Sequence, residues 1–205
     1  MAIVINGSNN SISGLAVGGL PDGCVDTDMM AANAVSSAKL SDSAITNAKL
    51  PAGSIIKVTH GTHNASGLST TSTSFQNYTA SNITVTKVRG AGNVSGGSKL
   101  LVFGNAWIEH SGSNANSRHL TYSLMRDGTE LSGLNFGMGN LYSQGASGYQ
   151  SNADIKYMDT ANLNAGDYVY SMCIASKDGT MTAQIGNTQR LGTWIILEVA
   201  TWQLN

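Results

Sequence analysis

Apolar residues recur every ten positions in the N-terminal part of the chain, across residues 25–54. Each copy of this repeat begins with one apolar residue and has a second one five positions later. So few apolar side chains do not offset the ordering entropy of a decapeptide, and neighbouring copies or neighbouring chains must therefore cover them. The repeat predicts a stalk with the apolar positions Val25, Met30, Val35, Leu40, Ile45, Leu50 and Ile55.

A single amphipathic helix over residues 27–50 is the alternative interpretation of this segment. Its alanine and lysine content favours a helix, but a period of ten does not keep an apolar stripe on one face of a straight helix. The serine-rich pieces at residues 36–37 and 41–43 are typical of caps that restart short helical turns. We therefore predict a stalk of alternating single turns and extended pieces.

From residue 54 onward, short runs of β-branched and aromatic residues alternate with Gly, Asn and Ser clusters, which is typical of an antiparallel sandwich or barrel. Asp127-Gly128 lies between two runs and predicts a tight hairpin turn. The glycine-rich segment 89–99 lacks the Gly-Lys-Ser/Thr ending of a phosphate-binding loop and predicts a hairpin loop. The predicted strands are residues 54–60, 74–79, 83–88, 99–110, 118–126, 131–136, 155–158, 168–176, 181–185 and 193–202.

The two faces of these strands are not alike throughout the head. Ile83 and Val85 alternate with polar residues, which is the pattern of a strand with one wet face. In residues 99–110 and 193–202, apolar side chains occupy both alternating faces. A two-layer sandwich has only one interior, and no helical pattern follows residue 55, so we predict that another subunit covers the second apolar face.

Composition and charge narrow the function classes. Only 11% of the 205 residues are charged, and 24 glycines stand among many Ser, Thr and Asn, as in β-sheets and turns. The scattered Lys and Arg form no basic stripe, so nucleic acid is not an expected partner. Residues 1–10 lack the features of a secretory signal, and no run approaches the roughly 20 apolar residues of a membrane helix, so membrane insertion is not expected. We interpret Cys24 and Cys173 as free thiols, with an intersubunit disulfide as the alternative.

Candidate catalytic carboxylates are scattered. A glycosidase would need two acids about 5–10 Å apart across a sugar-binding cleft. Nothing in the sequence marks such a pair among Glu109, Glu130, Asp154 and Asp159, and we predict solvating carboxylates, no enzymatic activity and no cofactor.

A possible metal site is limited to His60 and His63. Residues three apart on a strand point to opposite sides of the sheet, so two ligands at this spacing would need a bend. We predict two exposed histidines and no metal site.

Residues 137–152 have the composition of a recognition loop. Tyrosine rings stack on sugars or partner proteins at low entropy cost, and the amides supply paired donors and acceptors. The alternative is an ordinary long loop, or one packed against the neighbouring subunit. The predicted receptor-binding residues are Asn140, Tyr142, Gln144, Tyr149 and Gln150.

Two stretches of the sequence resemble known phage proteins. The start MAIVINGSNNSISGLAVGGLPDG and the repeats VSSAKLSDSAITNAKLPAGSIIKV resemble the N-terminal and shaft regions of short tail-fibre proteins of marine phages, especially those of cyanobacteria. The segments NLNAGDYVYSMCIAS and GTWIILEVA resemble paired strands of trimeric jelly-roll heads of the tumour-necrosis-factor and complement kind. The resemblance implies a virion structural protein made in the host bacterial cytoplasm, a parallel homotrimer, and a head that contacts host surface glycans.

Together these features predict an all-β chain in three parts. Residues 1–24 anchor the chain to other virion proteins, residues 25–54 form the decapeptide-repeat stalk, and residues 55–205 form an antiparallel β-sandwich head, jelly-roll-like and homotrimeric. The predicted function is a short fibre or fibre tip used in host attachment. The alternatives are a trimeric capsid or neck decoration protein that stabilises the particle without binding a receptor, and a β-sandwich depolymerase.

Overall fold

The computed structural model describes residues 4–8, 11–13, 34–36, 40, 45–46, 49–64, 67–92, 97–111, 118–143, 148–177 and 181–201. The fold divides into two compact units, residues 1–45 and residues 46–205. In the first unit, β1 (Val4–Asn6) and β2 (Ser11–Ser13) form an antiparallel pair. Within these described ranges, no helix is long and apolar enough to cross a membrane.

Among the described residues, eleven strands make up the second unit. They are rich in the β-branched and aromatic residues that fit a pleated surface. The strands are β3 (Ile55–His63), β4 (Leu68–Thr70), β5 (Gln76–Lys87), β6 (Ser98–Ser111), β7 (Arg118–Arg126), β8 (Thr129–Glu130), β9 (Gly139–Ser143), β10 (Tyr149–Asp159), β11 (Gly166–Ser176), β12 (Thr182–Ile185) and β13 (Gly192–Ala200).

These strands form two antiparallel sheets. In sheet 1, β10 pairs with one edge of β6, β13 and β12 pair with its other edge, and β3 and β4 lie outside those two. In sheet 2, β11 lies between β5 and β7, and β8 and β9 pair with the far edge of β7. The prediction of an all-β antiparallel sandwich is confirmed.

The hydrophobic core lies between the facing sides of the two sheets. Leu100 and Val102 of β6 point into it and are fully buried, as is Met172 of β11. Trp194 of β13 joins the layers, because its indole N–H donates a hydrogen bond of 2.7 Å to the backbone oxygen of Ser81 in sheet 2. Burying each large apolar side chain of this kind stabilises the fold by about 1.5–3 kcal/mol.

The outward side of sheet 1 is apolar as well. Its register pairs Met158 with Leu101, Leu101 with Leu197, and Leu197 with Val58, so these four side chains form one row across four strands. Both apolar faces predicted for this part of the chain are therefore present, and only the inner one is buried within the subunit. We call the outward surface the outer apolar face; its residues are Ile55, Val58, Leu101, Phe103, Met158, Ile195, Leu197 and Val199.

Some predicted strand boundaries are wrong. Residues 74–79 and 83–88 fall largely within one strand, β5, because the polar residues between them form a bulge and not a turn. The hydroxyl of Ser81 fills this bulge and accepts a hydrogen bond of 2.9 Å from the backbone N–H of Met172. Residues 131–136 are not a strand, since backbone N–H groups there turn back to the carboxylate of Glu130. Strands β1, β2, β4, β8 and β9 were not predicted.

The two turn predictions have opposite outcomes. Asp127-Gly128 joins β7 to β8 as a tight hairpin, with φ of 50° at Asp127 and 79° at Gly128, which confirms the prediction. Segment 89–99 is not a hairpin loop, because β5 belongs to sheet 2 and β6 to sheet 1. This segment instead connects the two layers.

A buried carboxylate holds the connection between the layers in place. Glu198 of β13 is almost fully buried and accepts hydrogen bonds from the backbone N–H groups of Val88 (2.9 Å) and Arg89 (2.8 Å) and from the Ser98 hydroxyl (2.5 Å). Burial lowers the pKa of the Lys87 ammonium, and the nearby charge of Glu198 partly opposes this fall. The negative charge therefore has the donors and the countercharge that a buried carboxylate requires.

Substituting Gly104 tests the packing between β6 and β13. A Cβ at this position would lie 2.2 Å from the Trp194 ring, which is buried and held by its bond to Ser81. We expect Gly104→Ala to lower the free energy of unfolding by about 1–3 kcal/mol, because an overpacked core must shift. Urea unfolding followed by tryptophan fluorescence measures this change.

The matched control is Gly7→Ala, where a Cβ has no heavy atom within 4 Å. We expect an effect within about 0.5 kcal/mol there. An unchanged urea midpoint in Gly104→Ala would contradict the packing of Trp194 over this glycine.

Candidate functional site

The segment predicted as a recognition loop, residues 137–152, is largely strand. It contains β9 of sheet 2 and the start of β10 in sheet 1, so it links the two layers. Its polar composition resembled a loop because both are edge strands with exposed side chains. Of the predicted receptor-binding residues, Asn140 and Tyr142 lie on β9, Tyr149 and Gln150 lie on β10, and Gln144 lies outside the described residues.

These strands meet at the end of the sandwich opposite Ile55. Ile55 is paired with Val199, which pairs with Lys99 near the start of β6, whereas Gln150 pairs with Glu109 near its end. Ten residues of extended strand span roughly 33 Å. In sheet 2, β9 pairs with the first residues of β7, at the end remote from the Glu198 contacts. We call the end of the sandwich that holds Tyr149 and Gln150 the distal end.

An aromatic cluster covers the sheet 2 side of the distal end. His119 of β7 lies at its centre. The His119 ring is 4.5 Å from the Tyr142 ring and 5.7 Å from the Phe136 ring. Tyr142 is 46% exposed and Phe136 47%, so both rings present apolar surface to solvent. Such rings are suited to stacking on the faces of sugars or on partner side chains.

An open hollow of about 420 Å³ lies on the sheet 1 side of the distal end, lined by Trp107, Gln150, Ser151, Asn152 and Arg190. Trp107 of β6 pairs directly with Asn152 of β10. The Arg190 guanidinium lies 6.0 Å above the Trp107 ring, in a cation–π arrangement. The hollow is mostly polar. On the inward side of the same strand pair, the Tyr149 and His110 rings stack 6.0 Å apart.

Two of the candidate carboxylates have structural partners. Asp159 is 1% exposed, and one of its oxygens accepts hydrogen bonds from the Arg126 guanidinium (2.5 Å) and the Tyr170 hydroxyl (2.6 Å). Burial, and then this hydrogen bond, raise the pKa of Tyr170. Glu130 accepts hydrogen bonds from two serine hydroxyls and two backbone N–H groups, and these outweigh burial and lower its pKa.

The other two carboxylates, Glu109 and Asp154, lie on the outward side of sheet 1. Glu109 accepts a long hydrogen bond of 3.4 Å from the Gln150 side chain, and Asp154 is exposed. No described contact joins Glu109 or Asp154 to Glu130 or Asp159.

The two histidines differ from each other. His60 is exposed, as predicted, but His63 is buried and packs edge-on against Tyr78, with ring centroids 5.6 Å apart. The prediction of an exposed His63 is wrong, because its side chain points to the inward side of β3, next to β13. No three His, Cys, Asp or Glu side chains in the described parts of the chain are grouped as metal ligands.

Cys173 is a free cysteine in the interior of sheet 2. Burial, chiefly, raises the pKa of its thiol to about 12, so the thiol is neutral and unreactive at physiological pH. Cys24 lies outside the described residues.

Most described positions of the predicted stalk carry exposed apolar side chains. Val35, Leu40, Ile45 and Ile55 are exposed. Leu50 is half-buried, and its backbone oxygen accepts a hydrogen bond of 3.3 Å from the Arg89 guanidinium. Val25 and Met30 lie outside the described residues.

The chain matches no protein-family model and no curated protein. Among solved structures it is similar to dimeric latent PorU from Porphyromonas gingivalis, with a TM-score of 0.41 and 6% sequence identity. The match covers 73% of this chain and 14% of the PorU chain. A likeness this distant carries no functional argument.

Trp107 and Arg190 are the distal-end residues that sequence reasoning missed. Trp107 lies in the segment 99–110 that is predicted as a strand with two apolar faces, and Arg190 is one of the scattered basic residues to which no role is assigned. They are 83 positions apart in the sequence. Only the turn after β12, whose Gly186 N–H bonds to the Trp107 backbone oxygen at 2.8 Å, brings them together.

Buried His63 makes the stability of the head depend on pH. Burial lowers the pKa of His63, and a hydrogen bond with the Asn105 backbone only partly offsets this. The unfolded chain therefore binds a proton more readily than the folded one. The stabilisation is complete above the unfolded pKa of about 6.5 and is lost as the pH falls below it.

We expect the wild-type urea midpoint to fall between pH 7.5 and pH 5.5 by more than that of His63→Phe, which keeps an aromatic ring without a titrating group. His60→Gln is the matched control on the same strand and should behave as the wild type. Equal pH dependence of wild type and His63→Phe would show that His63 titrates alike in both states.

Proposed function

We propose that this chain is a virion structural protein of a bacteriophage, a homotrimeric short fibre or fibre tip used in host attachment. The outer apolar face is the observation that carries the proposal. Val58 is 57% exposed and Met158 49% at the two ends of the apolar row that crosses four strands. Ile195, in the neighbouring row, is 45% exposed. A contiguous patch of this kind is typical of an interaction surface.

The outer apolar face favours other copies of the same chain as its cover. Ile55 belongs both to this face and to the register of the decapeptide repeat. The repeat needs neighbouring chains for its exposed Val35, Leu40 and Ile45, so one assembly satisfies both segments. Three parallel chains would cover the apolar positions of the repeat in one segment and the outer apolar face in the other.

The virion assignment within the proposal rests on the resemblance of the N-terminal and closing segments to marine phage fibres. In this proposal, residues 1–24 bind other virion proteins. The three heads pack against each other as in trimeric jelly-roll proteins. The chain then acts by binding and not by catalysis.

Host attachment is assigned to the distal end. The exposed rings of Tyr142 and Tyr149 lie at the end of the sandwich opposite Ile55, the residue that follows the predicted stalk. Three copies on one particle appendage multiply weak contacts through avidity. A surface glycan fits this surface, because aromatic rings stack on sugar faces and the neighbouring amides bond to hydroxyls.

Ile195→Asp tests the trimer. If another copy covers the outer apolar face, each subunit buries a carboxylate close to two others, which costs about 2 kcal/mol or more per subunit. We expect the wild type to sediment as a trimer at micromolar concentration and Ile195→Asp to sediment as a monomer. Thr84→Asp, an exposed strand position on sheet 2, is the matched control and should remain trimeric. A folded wild-type monomer would refute the proposed assembly.

Host attachment is tested by a double substitution, Tyr142→Ala with Tyr149→Ala. We expect this trimer to remain folded but to need at least roughly tenfold more protein to block phage adsorption to host cells, because avidity amplifies each lost contact. Asn82→Ala with Thr84→Ala, both exposed on sheet 2, should block adsorption as the wild type does. Equal competition by the tyrosine variant, or no cell binding by the wild type, would favour the decoration function instead.

A further inference from the structure

The hollow at the distal end lies over β6 and is lined by residues of two strands and one turn. Trp107 of β6 forms its floor, the turn before β13 brings Arg190 to one side, and Gln150 and Asn152 of β10 line the other. The hydrogen bonds between β6 and β10 fix the floor and the β10 side of the hollow, so these two parts are in place before any ligand arrives.

Trp107, which lines the hollow, carries an unsatisfied donor that is itself buried. Trp107 is only 5% exposed, and its indole N–H has no hydrogen-bond partner among the described residues. The other buried core tryptophan, Trp194, does have a partner, the backbone oxygen of Ser81. A buried polar group without a partner destabilises the fold, so a ligand acceptor that reaches the Trp107 N–H recovers a lost interaction.

The Arg190 side chain is suited to opening and closing this floor. It is exposed, and the described residues provide no carboxylate partner for it. Its contact with the Trp107 ring is a cation–π interaction, which is weak at exposed sites. A ligand can therefore displace the guanidinium from the ring at small cost and use its N–H donors in turn.

The charges around the hollow favour an uncharged ligand. Arg190 supplies one positive charge, and Glu109 beside Gln150 supplies one negative charge. Asp154 is exposed two positions from Asn152 on the same side of β10, and it would repel an anionic ligand. The amides of Gln150 and Asn152 each offer both a donor and an acceptor, which is the combination that adjacent hydroxyl groups require.

We propose that this hollow binds an uncharged saccharide, with its hydroxyl groups bonded to Gln150, Asn152 and Arg190 and one oxygen accepting from the Trp107 indole N–H. This inference rests on the proposed host attachment, for which it names the ligand class and the site. Tyr149 is 50% exposed but pairs with buried His110 on the inward side of β10, so the proposed contacts do not include it.

The test is an NMR titration of the full chain with separate saccharide probes. The neutral probes are the methyl glycosides of glucose, galactose, mannose, rhamnose and N-acetylglucosamine, and the charged probe is galacturonic acid. We expect at least one neutral probe to bind with roughly millimolar affinity and to shift the Trp107 indole N–H signal, which Trp107→Phe identifies by its absence. Galacturonic acid should bind more weakly.

Three variants test the named contacts. Trp107→Phe, Asn152→Ala and Arg190→Met should each weaken binding of the neutral probe roughly threefold to tenfold, as expected for the loss of one hydrogen-bonding group. Asn152 and Arg190 are exposed, so these two variants keep the test valid if Trp107→Phe does not fold. Asn82→Ala removes an exposed amide on sheet 2 and should leave the affinity unchanged.

Absence of any shift with all neutral probes, preference for galacturonic acid, or unchanged affinity in Asn152→Ala and Arg190→Met would each overturn the saccharide site. The titration requires neither a trimer nor a phage particle. A head that blocks adsorption without binding these probes would thus refute the saccharide site alone, while a saccharide-binding monomer would refute the trimer alone.

Discussion

The hydrogen-bond ladders along both edges of β6 hold sheet 1 together, and the other surfaces of the head depend on them. β10 pairs along one edge over eleven residues, while β13 and β12 divide the other edge between them. A strand paired on both edges cannot slip by one residue without exchanging its two faces. The alternation of β6 therefore places Leu100 and Val102 in the core and Leu101 and Phe103 outside.

The outward side of sheet 1 changes character along its length. Near Ile55 the cross-strand rows are apolar, and they include Leu101 and Leu197. Farther along, Asn105 and Thr193 form a polar row, in which the Asn105 amide donates to the Thr193 hydroxyl at 2.9 Å. Beyond it lies the hollow over Trp107. One continuous sheet surface thus offers a region suited to burial by protein and a region suited to a hydrated ligand.

Buried charges hold the two layers together. Asp159, on sheet 1, accepts from Arg126 and Tyr170 of sheet 2, and Glu198 holds the connection that leads from β5 to β6. Each carboxylate has several donors, which is the condition under which a buried charge is tolerated. The Trp107 indole N–H at the distal end differs from these carboxylates, because it has no hydrogen-bond partner among the described residues.

The sequence alone determined the fold class, the Asp127-Gly128 hairpin and the two-sided apolar character of β6 and β13, because alternation and turn chemistry are local properties of a chain. It did not determine the extent of β5, whose bulge around Ser81 resembles a break, or the burial of His63, which depends on the cover that β13 provides. Nor did it bring Trp107 together with Arg190. Those features depend on which strands become neighbours and in which register, and pairing between distant segments is decided only when the two sheets pack around one core.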